Sequence, residues 1–217
     1  MELTAIQKIA VFALPILFAI TVHEAAHGYV ARYFGDSTAE RLGRITLNPL
    51  KHIDPIGTLL LPALTVMLGG ILFGWAKPVP VNFANLRNPK KDMLWVAAAG
   101  PASNLIMAIF WAILLNMVNE PMATNGIFNA NHFFTEMSWA GISINLVLMV
   151  LNLIPLPPLD GGRIAVSLLP NPLASQLSSV EKYGFFILIA LMFTGILGKI
   201  ISPFIQFFTA LILRIFT

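Results

Sequence analysis

Residues 4–33 read TAIQKIAVFALPILFAITVHEAAHGYVARY. A helix that crosses a bilayer needs about 20 mostly apolar residues, and this stretch supplies them. His23, Glu24 and His27 stand in the same helical run. Ionisable groups in an apolar helix are costly unless they pair, ligate or face water. No small-x-small cleavage site follows IAVFALPILFAITV at 9–22, so the stretch is expected to be a retained helix, not a signal peptide. Pro15 is expected to kink it.

The whole chain repeats the message. Of 217 residues, 57% are hydrophobic and 11% charged, and mean hydropathy is +0.80. Soluble domains average roughly 45–50% apolar and about 25% charged, and a soluble fold of this size could not bury the excess. Disorder is excluded on the same ground. The net charge of +3, with no basic stripe interleaved with aromatics, speaks against nucleic acid. There is no cysteine, so disulfides, thiolate zinc sites and thiol catalysis are out. The expected class is an all-α polytopic membrane protein forming a single domain over 1–217, with a core at about 5–170 and a C-terminal helical pair at 183–217.

Five further segments are candidate spans: Gly57–Trp75, Met93–Val118, Met137–Ile154, Tyr183–Leu197 and Ile201–Phe216. Gly198, Lys199 and Pro203 mark the expected break between the last two. Eight of the thirteen cations lie from Arg32, at the end of the first segment, to Lys91, just before the third, and none lies in 119–136. The positive-inside rule then puts 35–56 and 77–91 in the cytoplasm and 119–136 outside. Both flanks of Gly57–Trp75 are basic, and Pro62, Gly69 and Gly70 interrupt it, so a re-entrant hairpin is favoured over a span. Gly43–Asn48 alternates like a short strand, and Ala76–Asn82 is held extended by its prolines. Together they suggest a small β element on the cytoplasmic side.

His23-Glu24-Ala25-Ala26-His27 is an HExxH. Positions i and i+4 share a helix face, so both imidazoles can address one ion. Glu24 then stands beside that ion as a base for water. A catalytic zinc uses three protein ligands and keeps a fourth position open. His132 lies on the wrong side, and His52, in a cytoplasmic stretch, is an alternative. Asp160 is the better candidate. Pro155, Pro157 and Pro158 forbid a regular helix before it, and Gly161 and Gly162 allow close backbone approach after it. Its competing role is the cap of the following helix. Asn152 could bind substrate backbone or an oxyanion, or simply join helices. Gly100 fits helix packing, and Asn104 either packing or substrate contact.

HExxH in the first segment, GPxxN at Gly100–Asn104 and NxxPxPxxDG at Asn152–Gly161, in that order, resemble the site-2 protease family of intramembrane zinc metalloproteases. The stretches Asn48–Gly57 and Gly74–Asn82 resemble its small bacterial members, and the likeness covers about 15–170. The resemblance implies about five to six hydrophobic segments around a three-helix catalytic core. It implies one zinc per chain, inside the membrane and open to the cytoplasm. His23, His27 and Asp160 would be its ligands, Glu24 the general base, and Asn152 a contact to substrate backbone. The substrate would be a transmembrane helix of a single-pass protein in the bacterial inner membrane, cut after a first cleavage by another protease. Larger members carry PDZ domains where only 119–136 stands here, and some carry a C-terminal CBS domain, which is not expected here. A helical substrate must unwind, and adding as a strand to 43–48 or 76–82 would achieve that. Two other classes compete: an ion or metal transporter, against which no inverted repeat is found, and a non-catalytic scaffold for transmembrane helices.

Overall fold

The computed structural model describes residues 4–60, 74, 76–119 and 130–216. Helix α1 spans Ala5–Tyr33. Its start follows from the sequence: the Thr4 hydroxyl accepts from Gln7 N–H, and the Gln7 side chain accepts from Thr4 N–H. Such a capping box satisfies two otherwise orphaned donors. Pro15 lies inside this continuous helix. A short α2, Thr38–Arg41, follows. The long helices α3, Pro89–Asn119, and α4, Ala130–Asn152, come next. Then come α5, Asp160–Leu168, α6, Asn171–Ser179, α7, Glu181–Phe193, and α8, Ile196–Phe216.

Four helices are long and apolar enough to cross a membrane: Ile9–Tyr33, Pro89–Val118, His132–Asn152 and Ile196–Phe216. The bent pair α6–α7, angled at 60°, makes a fifth if it is one span. The chain is thus all-α and polytopic. Helices α1, α3 and α4 pack on one another and form the expected three-helix core, with α5 against α3 and α8 against α4. Val11, Ala108, Trp111, Ala112, Leu115, Ile142 and Leu146 fill its centre, with Ile212 reaching in from α8. Lipid tails are as apolar as these side chains, so close packing and hydrogen bonds hold the helices together. Gly141 shows the closeness: a Cβ there would lie 2.3 Å from the Trp111 ring.

Two sequence expectations change, and a third lies beyond what the structure describes. The re-entrant reading of Gly57–Trp75 falls mostly on 61–73 and 75, outside the described residues. Only its entrance is seen, as a π-helical turn over Pro55–Leu60. The break before the last helix falls at Thr194–Gly195, not at Gly198–Lys199, and Pro203 sits inside α8. Gly195 alone there takes a left-handed φ, +72°, which suits a glycine that ends a helix. Finally, the described residues form no strand, so the small β element is absent from them. The segment 76–82 is extended, but Pro78 and Pro80 lack donors. Three other N–H groups are engaged elsewhere: Lys77 with His52 O, Val79 with Glu24 and Asn82 with Asp36. Residues 43–48 reach that segment through a side chain instead, the Arg44 guanidinium donating to Lys77 O and Pro78 O.

Candidate metal centre

Three elements build the site. One face of α1 supplies His23 and His27, both buried. The proline-rich turn after α4 supplies Asp160. Here the chain doubles back so tightly that a Cβ on Gly161 would lie 2.3 Å from Leu153 O, and one on Gly162 2.2 Å from Pro157 N. Asp160 therefore enters α5 at its first turn. Leu159 holds the capping position and makes no side-chain cap bond. The carboxylate turns to the imidazoles, with Oδ2 at 3.2 Å from His23 Nε2 and 3.4 Å from His27 Nε2. The two Nε2 atoms are 3.1 Å apart.

The far side of each ring fixes its proton. His27 Nδ1 lies 2.7 Å from Val96 O, a pure acceptor, so Nδ1 must carry the hydrogen. His23 Nδ1 lies 2.6 Å from Asn104 Oδ1. The Asn104 amide cannot be turned, because its Nδ2 already donates to Ala19 O and to Asn145 Oδ1. Asn145 is fixed in turn by donating to Gly141 O. With both hydrogens on Nδ1, each neutral ring presents a lone pair on Nε2. Two imidazole lone pairs and a carboxylate oxygen thus meet within 4.8 Å, the one such group of three among the described residues. Asp160 Oδ2 is buried without a hydrogen-bond donor. Three converging acceptors repel one another until a cation joins them, and two imidazoles with one carboxylate suit zinc. Donation from each ring's other nitrogen to protein oxygen is the usual support of metal-binding histidine.

Gly100 makes room for this arrangement. A Cβ there would lie 2.5 Å from Nε2 of both His23 and His27. Its packing partner is therefore the imidazole pair itself, a finer role than the helix contact expected from sequence. His52 does not join the group. Its ring is buried elsewhere, with Nε2 against Thr46 O.

A cleft of about 240 Å³ opens over the triad, with Glu24, Asn152 and Arg163 on its wall. Glu24 Oε2 accepts from Val79 N–H at 2.7 Å, which ties it to the extended segment. Asn152 donates to Leu148 O and keeps its side chain on the cleft. Asn104 stands behind His23, fully buried, rather than on the wall. The sequence reading passed over Asn145 and Val96. An amide in the middle of the Met137–Ile154 span was the available signal for Asn145; a backbone carbonyl such as Val96 O leaves none.

The extended segment is itself anchored. Asp36, fully buried, accepts from the N–H groups of Thr38 and Asn82, the Thr38 hydroxyl and the Asn85 side chain. Burial disfavours its charge, but these hydrogen bonds outweigh burial and hold the carboxyl below its usual range. Asn82 and Val79 are thus tied down on the same short segment, one to the loop after α1 and one to Glu24.

An HExxH on a membrane helix, joined by a carboxylate from an unwound helix end, defines a multi-pass membrane metalloprotein with a hydrolase-type site. Residues 11–195 match peptidase family M50. The chain belongs to that family, the site-2 proteases, and is a membrane metalloprotease. It is 38% identical over 205 residues to YwhC of Bacillus subtilis (strain 168), covering 93% of this chain and 89% of that one. It is 34% identical over 200 residues to Rip2 of Mycolicibacterium smegmatis, covering 88% of this chain and 71% of that one. Both relatives are named as zinc metalloproteases. No solved structure gives a significant match.

Proposed function

We propose that the chain is a zinc endopeptidase that hydrolyses peptide bonds within the transmembrane helix of a single-pass membrane protein. One observation carries this: the lone pairs of His23, His27 and Asp160 converge in a cleft between membrane helices, beside a carboxylate, Glu24, that is not one of them. One zinc per chain would be held by His23 Nε2, His27 Nε2 and the Asp160 carboxylate. Zinc so held supplies Lewis acidity toward a peptide carbonyl and acidifies water at its open position.

The residues do the remaining work. Glu24 is anchored through Oε2, and its Oε1 takes the proton of the attacking water. As the new C–O bond forms and the C–N bond breaks, Glu24 passes that proton to the leaving nitrogen. Asn152, on the cleft wall, offers a polar contact to substrate backbone. Its amide spends one N–H on Leu148 O, which leaves the second N–H and the carbonyl oxygen for that contact. The segment 76–82 lines the cleft through Pro78, Val79 and Val81. An unwound substrate laid along it pairs through Val81 N–H and nearby carbonyls, because the N–H groups of Lys77, Val79 and Asn82 are engaged and Pro78 and Pro80 have none. In this reading the cleft opens to the cytoplasmic side of a bacterial inner membrane, which the basic stretches at 35–56 and 77–91 support.

Metal content tests the site. In chain purified without chelator, elemental analysis is expected to find about one zinc. Asp160→Ala should lose most of it, and Glu24→Gln should keep zinc but cut nothing. A folded parent without zinc, even after zinc is added back, would overturn the hydrolase. Zinc flux into vesicles by a chain that cleaves nothing would favour a transporter.

A further inference from the structure

Arg163 lies one turn beyond Asp160 on α5, and positions i and i+3 share a helix face. Both side chains line the same cleft, and among the described residues Arg163 is its one Lys or Arg. Two contacts orient the guanidinium. Its Cζ sits 5.0 Å from the centre of the Phe83 ring. Its Nη2 donates to Glu181 Oε1, at the start of α7, at 3.1 Å. The ion pair is partly exposed, 32% for Arg163 and 46% for Glu181. Exposed pairs of this kind hold weakly and exchange readily. A guanidinium presents five N–H donors in a planar fork that matches a carboxylate.

We propose that Arg163 is the carboxylate-docking residue of the cleft, accepting a carboxylate of the bound chain in place of Glu181. This rests on the proteolytic reading of the same site. Glu181 displays the chemistry the fork takes. The aromatic face of Phe83 holds the fork in place while the anion is exchanged, because stacking does not consume its donors. The cleft is small enough that a peptide at the triad passes Arg163. Hydrolysis supplies one carboxylate itself: water adds across the amide, the C–N bond breaks, and a neutral carbonyl becomes a charged chain end. An acidic side chain beside the scissile bond is the other source.

The test uses the full chain carrying Glu24→Gln, loaded with zinc in detergent, so that peptides bind without being cut. The probes are fluorescently labelled Leu/Ala transmembrane peptides. One pair ends in carboxylate or carboxamide, and a second, amidated pair carries one Asp or Asn near the end. A carboxylate form is expected to bind about tenfold more tightly than its neutral partner. Whichever pair shows the preference identifies the source. Adding Arg163→Gln should abolish the preference, bringing the ratio of carboxylate to neutral affinity to about one. Arg163→Lys should keep part of it. Glu181→Gln should strengthen carboxylate binding about threefold by removing the competitor. Equal affinity for charged and neutral peptides in the Glu24→Gln chain, or an undiminished preference with Arg163→Gln, would overturn the proposal. So would a parental preference in the exchanged pair Arg163→Glu with Glu181→Arg, because that marks a merely structural bridge. If Arg163→Gln fails to fold, the Glu181→Gln result decides. Failure to bind any of the peptides, neutral forms included, would count against the proteolytic reading itself.

Discussion

At the scale of the residue, two positions separate what the sequence discloses from what it hides. His23 and His27 were legible because the relation between i and i+4 is local and a helix fixes it. Asp160 was legible because three prolines left the chain no regular way to continue. Gly100 was not, since a glycine in a helix names no partner until a second helix is laid against it. Its prediction is sharp. In Gly100→Ala the added methyl meets both imidazoles at 2.5 Å, in a place bounded by helices that cannot retreat cheaply. Zinc affinity, read by competition with a chelator, should fall about tenfold or more, while the chain still inserts and folds. An unchanged affinity would mean that α1 and α3 are not packed this closely. Asn104 teaches a related lesson. The sequence left it between packing and substrate, and the structure sets it behind His23, where its amide selects the ring's tautomer.

At the scale of the element, the extended segment 76–82 matters most. Its prolines announced extended chain correctly, whereas the alternation at 43–48 did not make a strand. They did not reveal that its donors are engaged by Glu24 and Asp36, which lie far away in the sequence. Asp36 is the anchor to test. Its folded pKa lies below the unfolded value of about 3.9. The stability it contributes is therefore full above that value and is lost as pH falls through the folded pKa. Asp36→Ala leaves buried donors unpaired and should lower the unfolding midpoint in detergent by on the order of 5 °C at neutral pH. The gap from the parent should narrow as the pH is taken below about 4. A gap that is constant across that range would show that the carboxylate's charge does not serve the anchor.

At the scale of the whole molecule, burial is uneven: half of the most apolar window of α4 is buried, but only 6% of that of α8. The three-helix core was implied by the family resemblance, while the apolar runs themselves gave only a list of candidate spans. The last break was misplaced because Gly195 and Gly198 look alike until one of them takes a left-handed turn. Orientation has a direct test, because the chain has no native cysteine. A cysteine placed at Lys51 should react with a membrane-impermeant maleimide only in inverted vesicles, and one at Glu136 only in right-side-out cells. The opposite result would turn the cleft to the other face of the membrane. The distance along the chain between the histidines and Asp160 has a consequence for biogenesis. Ribosomes make α1 first and α5 much later, so a chain still being synthesised carries two histidines and no carboxylate partner. Such a half-site grips zinc poorly, and the growing polypeptide enters the bilayer without cutting power. A peptidase site that needs Asp160 is complete only once the proline turn has been threaded into place.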